Sequence, residues 1–380
     1  MNFEFTEEQN MIRQSARDFA QRELLPGVID RDEKAEFPAQ QMKVLAELGF
    51  LGMMADPKYG GGGMDCVSYV LAMEEISKVD SAAAVVMSVC NSLVNWGLET
   101  YGNEEQKEKY LRPLASGQKI GAFLLSEPDA GSDATSQRTT AEDQGDYYLV
   151  NGTKNWITNA HSASTYLLIA QTDPAKKHKG INALIVDADT PGITLGPHEN
   201  KMGMRSSDTH SVMFNDVKVP KKNRIGEDGF GFTFAMKTLE GGRIGIASQA
   251  LGIAQGAYER ALQYAKERKA FGTEIANHQA IAFKLADMAV KIENARNLCL
   301  KAAWLKDQHQ PYALASSMAK LYAADIAMEV TVEAVQIHGG YGYVKEYHVE
   351  RLMREAKLTQ IYEGTSEVQK IVISRTILKD

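Results

Sequence analysis

Apolar residues recur at three- and four-residue steps at the start of the chain. Met11, Ile12, Ala16, Phe19, Ala20 and Leu24 follow Thr6 and Gln9, which have capping-box spacing. This pattern predicts a helix closed by Pro26, with further helices near 39–48, 67–77, 81–101 and 104–115. Asp56-Pro57 and the run Gly60-Gly61-Gly62-Gly63 mark a loop between them. Beyond Gly117 the texture changes. Short runs at 121–126, 147–151, 166–171, 181–186 and 212–219 are rich in β-branched and aromatic residues. Turn formers such as Asn151-Gly152 and Pro191-Gly192 punctuate them. They predict a β-domain of barrel or sandwich type that ends near 229–231. Helical spacing then returns, as in Ile281, Leu285, Met288, Ile292, Ala295 and Cys299. Two long helices, separated at 306–311, are expected in a bundle. Gly339-Gly340-Tyr341-Gly342 breaks the second, and 355–379 gives a final turn and helix.

The expected class is therefore α+β, in three segments: helical 1–119, β-rich 120–230 and helical 231–380. A length of 380 residues agrees with two or three domains. Charge narrows the partners. Lys plus Arg is 42 and Asp plus Glu is 49, a net −7, which argues against broad nucleic-acid binding. Cys66, Cys90 and Cys299 are scattered without metal-ligand or redox spacing, so reduced thiols and a cytoplasmic location are expected. The acidic start, from Met1 to Glu8, has no basic or apolar leader pattern. The longest apolar stretch, around 82–89, falls short of the roughly 18–20 residues that span a bilayer, so no membrane span is expected. Rossmann, P-loop, G-x-S-x-G and H-E-x-x-H motifs are absent, and the eight histidines are dispersed, so no metal site is expected. Pattern and composition alone lead to a multidomain enzyme with an organic cofactor.

Five stretches carry the reading further. They are Leu125-Ser126-Glu127-Pro128-Asp129-Ala130-Gly131-Ser132-Asp133, Asn151-Gly152-Thr153-Lys154-Asn155-Trp156-Ile157-Thr158-Asn159, and Glu267-Arg268-Lys269-Ala270-Phe271-Gly272 with His278-Gln279. Gln336-Ile337-His338-Gly339-Gly340-Tyr341-Gly342 and Gln360-Ile361-Tyr362-Glu363-Gly364-Thr365-Ser366-Glu367 complete the set. In this order, over nearly the whole chain, they resemble the acyl-CoA dehydrogenase family. The short-chain, butyryl-type branch is nearest, through Met87-Ser88-Val89, Asn91-Ser92-Leu93 and Gly242-Arg243-Ile244-Gly245-Ile246-Ala247.

The resemblance implies an N-terminal helical domain, a central β-domain and a C-terminal four-helix bundle. It also implies non-covalent FAD, an acyl-CoA substrate, an electron-transfer flavoprotein as acceptor and a homotetramer. Oxidising the α,β bond of a thioester needs a base at Cα, an acceptor for hydride from Cβ and donors for the thioester oxygen. Glu363 matches the family's base, and its own N–H matches one oxyanion donor. Gly364 beside it lets the backbone pass close to the acyl chain. A desolvated pocket for that carboxylate is expected. Some relatives carry the base just before an Arg; here that position is Gly242, before Arg243.

Phe123, Leu125, Ser126, Gly131 and Ser132 match a flavin-cradling loop, with Ser132 also toward CoA. Trp156, Ile157 and Thr158 match residues against the flavin. Arg268, Phe271, Gln279, Gln336, Gly339 and Gly340 match contacts to a neighbouring subunit's FAD, and Thr365 and Glu367 match positions near its adenosine diphosphate. Glu240, Gly241, Gly242, Arg243, Tyr362 and Gly364 match the substrate side. Two positions depart from the family pattern. Asp129 stands where Gly is common, and Glu240 where Asp is typical.

Other functions fit the same motifs. They are a short branched-chain dehydrogenase and a flavin oxidase of the same fold using O₂; an inactive acyl-CoA-binding assembly subunit is a third alternative, but it should lose the base or the flavin contacts, and both sets are present. A glutaryl-CoA enzyme would need a cation in the helix leading into Met87, and no Lys or Arg lies between Lys78 and Lys107. Acyl length depends on how residues 89–96 and the Glu363 turn fill the end of the cleft.

Overall fold

The computed structural model describes residues 4–379. Met1 to Phe3, the head of the acidic start, and Asp380 lie outside the described residues. The expected capping box forms: the Gln9 N–H donates to Thr6 Oγ1 at 3.1 Å, and the Thr6 N–H donates to Gln9 Oε1 at 3.0 Å. It opens Glu7–Phe19 (α1). Val28–Lys34 (α2), Ala39–Glu47 (α3) and Cys66–Ser77 (α4) follow. Next comes one continuous helical run. Ser81–Ser88 (α5) passes through a wider π-helical segment, Val89–Asn95, into Trp96–Tyr101 (α6). Asn91 and Asn95 lie in the wide segment, and their side-chain amides donate to the carbonyls of Phe50 at 2.8 Å and Leu51 at 2.9 Å. The run is long and apolar enough to cross a membrane by length and composition alone. However, 94% of its most apolar window is buried inside the protein. Glu104–Gln106 (α7) and Arg112–Ala115 (α8) complete this part.

The β-rich segment holds Gly121–Leu124 (β1), Thr140–Asp143 (β2), Tyr147–Thr158 (β3), Thr165–Gln171 (β4), Ile181–Asp187 (β5), Ile193–Leu195 (β6), Thr209–Pro220 (β7) and Arg224–Ile225 (β8). Their order is β6-β7-β3-β2-β4-β5-β8, with β1 parallel to β4. The sheet stays open, ending on β6 and β8, so the barrel alternative is corrected and the layered one stands. The two faces of β4 and β5 explain the layering. Leu168, Ala170, Leu184 and Val186 pack with Val150, Val212 and Phe214 of β3 and β7. Leu167, Ile169, Ala183 and Ile185 pack instead with Leu93, Leu98, Phe234 and Ala235 from helices. Every residue of β4 is buried, as expected of a strand covered on both faces.

The C-terminal segment opens with Gly231–Glu267 (α9). A two-stranded hairpin, Lys269–Ala270 (β9) with Thr273–Glu274 (β10), leads to Gln279–Asp307 (α10) and Ala313–His338 (α11). The break between them falls where the sequence places it. Val349–Thr359 (α12) and Ser366–Ile377 (α13) both pack on α11 and together take the fourth place of the bundle.

Candidate active site

Between α12 and α13 the chain turns through two consecutive left-handed residues, Glu363 at φ 51° and Gly364 at φ 92°. Such a conformation costs a residue like Glu about 1–3 kcal/mol unless its surroundings enforce it. They do so here through the Gly364 carbonyl, which accepts from Lys320 Nζ at 2.7 Å and Gln369 Nε2 at 2.9 Å. Thr365 caps α13, its hydroxyl accepting from the Val368 N–H at 3.3 Å.

The turn directs the Glu363 carboxylate onto α9 at Gly242. A Cβ at Gly242 would stand 2.2 Å from Glu363 Oε2 and 2.8 Å from Leu93 Cδ2. Oε2 is buried and has no hydrogen-bond partner. Burial pushes the Glu363 pKa up to about 7, against the opposing pull of Lys320 and Arg243. Arg243 is itself buried. Its Nη1 donates to Ser317 Oγ at 3.2 Å and its Nε has no partner. Glu240 is two residues from Gly242, about 200° around the helix, and ion-pairs with Lys237 at 3.3 Å. It does not share the Gly242 position with Glu363. Tyr362 donates its hydroxyl to Gln249 Oε1, and Gln249 Nε2 donates to the Ser81 carbonyl at 2.6 Å. Tyr362 also packs into the cluster that holds Val89, Leu93 and Phe234, together with Phe123 and Leu125. The structure therefore joins the Glu363 turn, the π-helical segment and the start of the expected flavin loop in one apolar cluster.

That loop is braced from below by a lysine the sequence reading passed over. Lys154 is fully buried, with Nζ 2.7 Å from Glu127 Oε1, 2.9 Å from the Leu125 carbonyl and 3.0 Å from Gln137 Oε1. Glu127 in turn accepts from the backbone N–H groups of Arg138 at 2.6 Å and Thr139 at 3.1 Å. Burial lowers the Lys154 pKa to about 8, with Glu127 opposing. The signal was available: Lys154 shares the inward phase of β3 with Tyr148 and Val150. Gly131 and Ser132 are exposed at the loop tip, where a Cβ on Gly131 would meet nothing within 4 Å. Asp129 keeps an ordinary backbone conformation, and its carboxylate pairs with Arg138 at 2.9 Å, so the loop does not need Gly there.

A register shift in β3 between Lys154 and Ile157 turns Trp156 outward at φ 61°. Its indole is 60% exposed, unusual for so large an apolar group. Thr158 is half-buried nearby on the same strand. Ile157 differs from expectation. Its side chain is taken up in the β-core. An outward indole, an open glycine turn and a buried carboxylate with a partnerless oxygen fit a flavin laid between loop and turn.

The remaining expected cofactor residues form a second group. Arg268, Gln279, Gln336, Gly339 and Gly340 are exposed, and Phe271, at φ 53°, is 98% exposed, whereas Glu367, also exposed, stands apart from them in the first turn of α13, four residues from Glu363. The Arg268 guanidinium lies over the Tyr341 ring at 5.6 Å, so the 268–271 and 336–341 segments are adjacent. Gln336 is about 24 Å along α11 from Lys320, and hence far from the Glu363 turn.

Comparison with known proteins follows the same three segments. Family models described as acyl-CoA dehydrogenase N-terminal, middle and C-terminal domains match residues 6–118, 122–217 and 229–378. A short-chain specific acyl-CoA dehydrogenase of Clostridium acetobutylicum is 49% identical, covering 100% of both chains. The CarC subunit of the caffeyl-CoA reductase-Etf complex of Acetobacterium woodii is 50% identical over 99% of both. The butyryl-CoA dehydrogenase structure from Megasphaera elsdenii superposes with a TM-score of 0.98 at 47% identity, covering 100% of both chains. With all three segments matched in order and full-length relatives at about half identity, the chain belongs to the acyl-CoA dehydrogenase family.

Proposed function

We propose that this chain oxidises the α,β bond of short-chain acyl-CoA thioesters to trans-2-enoyl-CoA, with Glu363 as base. The Glu363 carboxylate takes the α-proton, and the electron pair of that C–H bond becomes part of the Cα–Cβ double bond. FAD, when bound, accepts the hydride that leaves Cβ. The observation that supports this reading best is the partnerless Glu363 Oε2, buried against Gly242. A carboxylate whose pKa lies near 7 can hold or release a proton at neutral pH. The Glu363 N–H is the chain's own donor for charge on the thioester oxygen. Trp156, Thr158 and the 125–132 loop hold and orient the flavin, while Leu93, Phe123 and Tyr362 exclude water. Short acyl chains are favoured by the names of the relatives, and an electron-transfer flavoprotein as acceptor by the Etf complex to which CarC belongs.

The same reading takes segments 1–119, 120–230 and 231–380 as the domains and a homotetramer as the assembly. The exposed group around Arg268, Phe271 and Gln336, far from its own chain's Glu363, supports a role at a neighbour's cofactor. The three buried, unpaired cysteines agree with a cytoplasmic location. CarC favours a second reading, in which a reduced electron-transfer flavoprotein serves as electron donor and the chain reduces an enoyl-CoA.

Anaerobic stopped-flow bleaching of the flavin by butyryl-CoA tests the base. Glu363→Gln keeps the shape but cannot take a proton, and the rate should fall at least 10²–10⁴-fold with FAD still bound. A wild-type rate would remove Glu363 from the reaction.

A further inference from the structure

Lys320 is a lysine with no solvent exposure, about two turns into α11. An ammonium in such a place is costly unless something uses it. Its hydrogen bond goes to the Gly364 carbonyl, at 2.7 Å, inside the turn that carries Glu363. Asp325, one of the acidic groups near it, is already engaged, accepting from Gln360 Nε2 at 2.8 Å and Ser366 Oγ at 3.3 Å. Glu367 is exposed on α13. Glu363 is thus the carboxylate near Lys320 that has a partnerless buried oxygen.

We propose that Lys320 is a positioning residue for Glu363: it pins the left-handed turn through the Gly364 carbonyl, and its charge favours the ionised carboxylate. This rests on Glu363 being the base. Gln369 shares the first task, donating to the same carbonyl, but carries no charge for the second. The groups that face Glu363 from its neighbours are Lys320 on α11, Arg243 on α9, Tyr69 on α4 and the adjacent Tyr362. Arg243 is also cationic, but it lies near Glu240 and Tyr312 as well and donates to Ser317. Lys320 is the larger of the two opposing influences on Glu363. Burial lowers the Lys320 pKa to about 8, so the ammonium persists at neutral pH.

The test is the pH dependence of flavin bleaching by butyryl-CoA in the FAD-loaded protein, for Lys320→Gln and Lys320→Met. The wild-type rate should rise with pH through a midpoint near 7. Both variants should move that midpoint up by about one unit, about a fivefold loss of ionised base at neutral pH. Lys320→Gln, which keeps a donor for the Gly364 carbonyl, should recover more of the rate at high pH than Lys320→Met. A purely structural lysine would lower the rate at every pH and leave the midpoint in place, and that result overturns the proposal. Should neither variant fold, Lys320→Arg tests the same charge: a retained cation should keep the midpoint near 7, and a rise like that expected of the neutral variants overturns the proposal. Glu363→Gln bleaching at the wild-type rate would instead show that the base assignment, and not the lysine, is at fault.

Discussion

Gly242→Ala isolates the contact on which the site is built. Alanine suits a helix interior better than glycine by about 1 kcal/mol. Its methyl, however, would arrive 2.2 Å from Glu363 Oε2 and 2.8 Å from Leu93 Cδ2. Both atoms end flexible side chains, so each can give way. Overpacking of this kind costs about 1–3 kcal/mol, so the helix gain leaves a net destabilisation of about 0–2 kcal/mol. The carboxylate must retreat by about 1 Å to reach ordinary contact. A misplacement of about 1 Å at the reacting centre costs on the order of 10²-fold in rate, or about 2.7 kcal/mol of barrier. Gly242→Ala should therefore fold, bind FAD and bleach with butyryl-CoA about 10²-fold more slowly in stopped flow. Placed on Glu363→Gln, the same methyl should cost little further, because the group it displaces no longer takes the proton. A Gly242→Ala protein within threefold of the wild-type rate would refute the reasoning, as would full additivity with Glu363→Gln.

The pKa of Glu363 also sets stability against activity. Its folded pKa, about 7, is raised above the ordinary value of 4.5, so the stabilisation it contributes is complete below about 4.5 and is lost as pH rises through 7. Activity should rise over that same interval, and Glu363→Gln should unfold at a higher denaturant concentration than wild type at pH 8 but not at pH 4.5. Lys154→Met should remove about 3 kcal/mol, the cost of stranding Glu127 as a buried unpaired carboxylate; denaturant unfolding would show it, and FAD content should fall with it. Lys154→Met with Glu127→Gln should recover part of that loss.

What was legible in the sequence was what repeats. Leu285, Met288, Ile292, Ala295 and Cys299 all turn inward on α10, and the 3.6-residue period marks them without any knowledge of partners. Helix α2 was invisible for the opposite reason. Its inward residues include Arg31 and Asp32, which pair with Asp80 at 3.2 Å and Arg354 at 2.9 Å, so no apolar stripe exists to be read. Strand β2 has one inward residue, Ala141, which is too little for an alternation. At the site, the Tyr362-Glu363-Gly364-Thr365 motif identified the turn, but not what holds it. The alternation of β3 marks Lys154 as inward but not what pairs with it, and Lys320 was not marked by the sequence at all. Their burial is decided by Glu127 and Gly364, which lie 27 and 44 residues away.

The π-helical segment Val89–Asn95 bears on how such a pocket can be reshaped. Adding or removing one residue in an ordinary α-helix rotates everything beyond it by about 100°. A π segment absorbs the extra residue locally and leaves both flanks in phase. Here one flank is α5. The other is α6, whose Tyr101 packs edge-on to Phe230 at 5.2 Å and Phe234 at 5.7 Å. Leu93, opposite Glu363 and Gly242, sits on the wide turn between them. A one-residue deletion there would tighten the turn and redraw the wall at Leu93 while Tyr101 kept its neighbours. The acyl pocket can in this way change depth through chain length alone, with no side chain exchanged.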